Sequence, residues 1–221
     1  MARASHFLFF IFLILASSPF SFAADAVEIG FDGKPNKKGV PAKWELKEKA
    51  GDADFEVTKD GPDIALHVKS KDASFSFQSE IRINANEYPY ATWTWKAVAL
   101  PPHGDIRKSS RNDQALQVMI AFKDKKILSY VWDSNAPEGT VSEESVPWPI
   151  SLKIKVIAVK SGAGDLGKWV TITRNIREDF KKLFKEDPPA IEGVRVQTNT
   201  QHTESFAEGY FKKIVFSKKP I

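Results

Sequence analysis

Two-residue alternation of apolar and polar side chains constrains this chain more than any other feature. Val27, Ile29 and Phe31 alternate with polar neighbours, as do Ile64, Leu66 and Val68, then Phe75 and Phe77, then Ile81 and Ile83, and each run is bounded by Gly, Pro, Asp or Asn. Successive side chains of a strand point to opposite faces, so this period marks half-buried strands. Residues 91–98 and 115–122 differ. The first carries Trp93 and Trp95 on one side and Thr92 and Thr94 on the other; the second sets Leu116, Val118, Ile120 and Phe122 opposite Ala115, Gln117, Met119 and Ala121. Strands covered on both faces belong in the middle of a sheet. Lys123-Asp124-Lys125 reverses the chain into residues 127–132, which predicts an antiparallel hairpin. Residues 152–159, 169–173, 194–198 and 209–216 complete the strands.

One segment has helical spacing. Ile176, Phe180, Leu183 and Phe184 repeat on one face, Asn175 fits an N-cap with Glu178 three residues on, and Pro188-Pro189 stops the turn. Many strands, one helix and no strand–helix alternation predict a mostly β fold: an antiparallel two-sheet β-sandwich, jelly-roll-like, with one peripheral α-helix. The longest loops are expected over residues 100–112 and 134–149, and loops of that length often carry function.

The amino terminus reads as an export signal. Residues 7–16 form an apolar run of about ten residues, half of what a membrane span needs, and Ser21-Phe22-Ala23 supplies the small residues of a cleavage site. Residues 1–23 are therefore expected to be a signal peptide. Residues 24–221 are left as a single β-sandwich domain, exported to a bacterial periplasm or secreted, with no membrane span after cleavage. The alternative is an uncleaved N-terminal anchor. The chain has no cysteine, which excludes thiol catalysis, thiolate zinc sites and disulfides. Lys and Arg number 32 against 28 acids with the signs interleaved, and no basic stripe carries exposed aromatics, so no nucleic-acid partner is expected.

Few residues suggest chemistry. His67 alternates with Leu66 and Val68 and should point to solvent, and no histidine sits in a metal-ligand spacing, so neither metal nor cofactor is expected. His103 and His202 fall in loops and lack a neighbouring nucleophile in the sequence. Asp113 begins one arm of the hairpin and Asp133 ends the other, so antiparallel pairing brings them to one edge, where a glycosidase would need two carboxylates about 5–10 Å apart. The bland reading is that both anchor strand ends, or pair with Arg111. Aromatic rings stack on sugar faces while amides and carboxylates bond the hydroxyls. That chemistry selects Asp113, Gln117, Trp132, Asp133 and Trp148 as ligand-binding candidates. Trp93 and Trp95 face either the core or a cleft.

Several segments in order, Gly39-Val40-Pro41-Ala42-Lys43-Trp44, Thr92-Trp93-Thr94-Trp95-Lys96, Asn112-Asp113-Gln114-Ala115, Ser129-Tyr130-Val131-Trp132, and Gly167-Lys168-Trp169 with Arg174 to Phe180, resemble DUF3047, a family of exported bacterial proteins with no established activity. Where an Asp-rich segment is expected near the end, this chain reads Gln197-Thr198-Asn199-Thr200-Gln201-His202-Thr203. Phe31-Asp32-Gly33, with Gly39, Trp44 and the aromatic final strand 210–216, is also similar to carbohydrate-binding jelly rolls. Those commonly hold a structural Ca²⁺ through acids of the first and last strands, whereas this last strand offers Lys212 and Lys213. The leading expectation is a non-catalytic module for a carbohydrate-like or other small-molecule ligand. One rival is a polysaccharide hydrolase or lyase using Asp113, Asp133 or His103; another is a structural envelope protein.

Overall fold

A computed structural model describes residues 25–146 and 149–221. The expected signal peptide and Trp148 lie outside the described residues. In chain order the elements are β1 (Ala26–Ile29), β2 (Glu45–Ala50), β3 (Asp54–Asp60), β4 (Asp63–Lys71), β5 (Ser74–Ile83), β6 (Tyr90–Ala99), β7 (Leu116–Phe122), β8 (Lys126–Asp133), β9 (Val141–Val146), β10 (Leu152–Ser161), β11 (Val170–Asn175), α1 (Ile176–Phe184), β12 (Ile191–Asn199) and β13 (Phe206–Ser217). Two sheets form a sandwich. The first runs β11-β6-β13-β4-β3, with β1 also on β13; the second runs β2-β5-β12-β7-β8-β10-β9.

The alternation read in the sequence becomes the division between inner and outer faces. Trp93 and Trp95 of β6, Leu66 and Val68 of β4 and Phe211 of β13 meet Phe75 and Phe77 of β5, Val118 and Ile120 of β7, Tyr130 and Trp132 of β8 and Val194 and Val196 of β12 in one core. Trp93 lies 5.1 Å from Tyr130 and Trp95 lies 6.2 Å from Trp132, ring to ring across the sheets. Trp93 and Trp95 are therefore core residues, and large aromatics of this kind dominate burial. The sheets approach closely at Gly209, where a Cβ would stand 2.7 Å from Leu116 Cδ2.

The helix forms as its pattern predicts. Asn175 Oδ1 accepts from the Glu178 backbone N–H, Phe180 packs at 4.5 Å from Phe122, and Lys185 closes the C-terminus in the left-handed region. Its anchor is polar: Arg174 donates through Nε and Nη2 to the two oxygens of Asp179, and Tyr130 Oη donates to Asp179 Oδ2 at 2.9 Å.

Three features depart from the sequence reading. β10 pairs with β8 in parallel, so the sheet is not wholly antiparallel. The reason is a crossover: the chain leaves β8, forms β9 on the far side and returns, and a connection of a dozen or more residues is what a parallel pair requires. β9 itself lies inside the expected loop 134–149; its polar sequence and half-exposed edge position conceal it. Finally, His67 does point to the outer face but is only 6% exposed, because its ring stacks on Tyr210 at 4.0 Å.

Candidate functional site

The β7–β8 hairpin places Leu116 opposite Trp132 and so carries Asp113 and Asp133 to the same end of the sheet. Both carboxylates are fully buried and engaged by the protein itself. Asp133 Oδ1 accepts from the backbone N–H of Asn135 (2.8 Å) and Ala136 (2.6 Å), and Oδ2 from Ile106 (2.9 Å). It thereby fastens the 100–112 loop to the segment after β8. Burial raises its carboxyl above the ordinary range, against the lowering pull of those three N–H groups. Asp113 Oδ2 accepts from Thr203 N and Oγ1 at 2.6 and 2.7 Å, and its Oδ1 accepts from Asn199 Nδ2 at 3.0 Å and lies 3.2 Å from His202 Nδ1. The partners of its carboxylate are thus Asn199 and the turn that follows it, not Arg111. His103 is exposed on the loop. Trp132 lies between the sheets with Nε1 donating to Gly162 O at 3.0 Å, so it faces the core rather than an outer surface.

Gln117 has the outward position expected of it, buried beneath a chain of amides. Its Nε2 donates to Gln114 Oε1 (3.0 Å) and to Asn199 Oδ1; Gln114 donates to Asn112, and Asn112 to Glu144 at 2.7 Å. Beside this chain the outer face divides into two halves. Over β8 and β10, the loops bring down Ile106 and Ala136 onto Met119, Val131, Ile154, Val156 and Ala158, a small satellite core. Over β2, β5, β12 and β7 the sheet is open and forms a groove of about 530 Å³, with Gly193, Ala121, Met119 and Ile127 on its floor and Glu45, Gln78, Glu80 and Arg195 among its polar walls.

Register gives this face its order. Glu45, Gln78, Arg195, Met119, Ser129, Val156 and Ser142 stand directly opposite one another, one from each of the seven strands. The first three are hydrogen-bonded in series, Arg195 Nη2 to Gln78 Oε1 at 2.7 Å and Gln78 Nε2 to Glu45 Oε2 at 2.9 Å. Arg195 is half-buried and desolvation lowers its pKa. Hydrogen bonds from Lys47 and then Gln78 hold Glu45 below the usual carboxylate range. Further along the row the hydroxyls of Ser129 and Ser142 are buried without a partner among the described residues.

The first sheet's outer face is built differently. Glu56, His67, Tyr210 and Lys96 form a row of their own, and both nitrogens of the His67 ring face carboxylates, Glu56 at 3.0 Å and Glu208 at 2.8 Å. Lys96 lies over the rings of Trp169 and Tyr210, and Lys212 lies over Trp169 while pairing with Asp60 and Asp63. Its aromatic rings already have partners, which leaves the groove of the second sheet as the more open polar surface.

A family described as "Protein of unknown function (DUF3047)" matches residues 42–215, which include both halves of this face. The chain belongs to that family. No curated protein matches it significantly. Among solved structures, this DUF3047 member is similar to the xyloglucanase domain of NopAA, a type three effector from Sinorhizobium fredii, at 11% identity over 90% of this chain and 100% of that one, with a TM-score of 0.49. It is also similar to the family 11 carbohydrate-binding module of the cellulosomal cellulase Lic26A-Cel5E of Clostridium thermocellum, at 11% identity, 89% and 96% coverage and a TM-score of 0.43. A third likeness is to endoglucanase cel12A from Rhodothermus marinus, at 6% identity, 88% and 100% coverage and a TM-score of 0.45.

Sequence reasoning named Gln117 and the hairpin end and did not name Glu45, Gln78, Arg195, Ser129 or Ser142. The available signal was polarity at alternate positions of strands whose other face is apolar. That signal marks any solvated strand, so only the register between strands distinguishes this set.

Proposed function

We propose that the protein is an exported, non-catalytic binding module whose ligand is carbohydrate-like and lies across the outer face of the second sheet. One observation carries this reading. A groove with a floor of small and apolar residues is crossed by an in-register series of carboxylate, amide and guanidinium groups. Neighbouring strands are about 4.8 Å apart, so the series offers hydrogen-bonding groups at regular short intervals, as a chain of hydroxyl-bearing rings requires. The apolar floor suits the C–H faces of such rings, and the polar groups fix orientation.

The catalytic rival loses support from the same geometry. An acid and a base must reach the reacting bond, whereas Asp113 and Asp133 are enclosed by backbone and side-chain donors and neither they nor the exposed His103 line the groove.

The test is calorimetric titration with neutral and acidic plant and bacterial oligosaccharides, run beside a reducing-end assay on the matching polysaccharides. Gln78→Ala removes the middle of the series and should weaken binding about tenfold or more while the melting temperature stays within a degree or two. No turnover is expected. Hydrolysis of any of these polysaccharides by the purified wild-type protein would overturn the reading.

A further inference from the structure

We propose that the groove selects an acidic saccharide of the uronate type and that Arg195 receives its carboxylate. This deepens the reading of the groove as a carbohydrate site and rests on it.

A guanidinium carries five N–H donors in a planar fork. Only Nη2 of Arg195 has a protein partner among the described residues, the neutral oxygen of Gln78. That oxygen is fixed in place, because the other end of the same amide donates to Glu45. The arginine is thus oriented without being neutralised. Removing a cation from water without a counter-ion is costly, and buried charges are ordinarily paired.

The acids near the groove do not supply the counter-charge. Glu45 is engaged by Lys47 and Gln78. Glu80 and Glu192 are exposed and make no ion pair with Arg195 among the described residues. The rim carries one further cation, Lys43, also exposed. Space for a ligand lies beside the guanidinium. Gly193, its neighbour but one on the outward face of β12, stands between Ala121 of β7 and the exposed Glu80 of β5, and Gly193 and Ala121 give the floor its smallest side chains. A carboxylate matches the arginine fork with two parallel hydrogen bonds, which neither a hydroxyl nor an ester can form.

The experiment compares three probes by titration: oligogalacturonate, the same oligomer fully methyl-esterified, and a neutral xyloglucan oligosaccharide. The expected result is binding of the free acid that weakens about 10–100-fold on esterification and by a similar factor in Arg195→Gln, with Arg195→Lys intermediate. The esterified arm needs no variant, so it decides even if Arg195→Gln folds poorly. Non-specific attraction of a polyanion to a basic protein would survive Arg195→Gln, and that outcome overturns the proposal. Equal binding of acid and ester also overturns it while leaving a neutral-saccharide groove standing. Absence of binding to all three removes both this inference and the reading beneath it.

Discussion

Replacing Asp133 by asparagine separates a carboxylate that organises loops from one that performs chemistry. The side chain accepts three backbone N–H groups, two through Oδ1 and one through Oδ2. Asparagine keeps one oxygen, which can retain Asn135 and Ala136, and turns an NH₂ group toward the Ile106 N–H, leaving two donors face to face in a buried position. An unsatisfied buried donor costs about 1–3 kcal/mol. In a chain of this size that lowers the melting temperature by roughly 2–12 °C. The assay is thermal unfolding with amide hydrogen exchange, in which Ile106 should lose protection first and the 100–112 loop should follow. An unchanged melting temperature with Ile106 still protected would refute the argument.

Three further outcomes follow from the same structure. Trp132→Ala should cost about 3–5 kcal/mol in chemical denaturation, as expected for a fully buried aromatic, whereas a ligand-stacking role would weaken binding and leave stability alone. Gly104→Ala should destabilise by roughly 1–3 kcal/mol, because its Cβ would stand 2.2 Å from the Asp113 carbonyl oxygen and push the loop off the hairpin end. Expression with the native amino terminus should give an exported protein beginning at Ala24 by intact mass, and a chain still starting at Met1 in the membrane fraction would contradict the signal-peptide assignment.

The fold was readable because burial imposes its own period. Strands whose inner residues are Phe75 and Phe77, Trp93 and Trp95, or Val194 and Val196 announce themselves, and the cap at Asn175 marks the helix by chemistry that acts within four residues. β9 was hidden, since an edge strand of Val, Ser and Glu buries too little to leave a pattern. The parallel pairing of β10 with β8 was hidden as well, because pairing direction depends on where a connection crosses and not on local composition. Asp113 and Asp133 were correctly brought to one end, yet their partners are backbone N–H groups and the distant side chains of Asn199 and Thr203, which no spacing could have indicated. The groove was the least legible part. Glu45, Gln78 and Arg195 are unremarkable outward residues of three strands, and their meeting is a product of register alone.

The central claim is that a saccharide lies on the outer face of the second sheet. Backbone amide shifts of the isotope-labelled protein, followed during titration with oligogalacturonate and xyloglucan oligosaccharides, test it most directly. Shifts should concentrate at Glu45, Gln78, Met119, Ala121, Gly193 and Arg195, with His67, Lys96 and Tyr210 unmoved. Shifts gathered instead around His67, Tyr210 and Trp169 on the opposite face would contradict it.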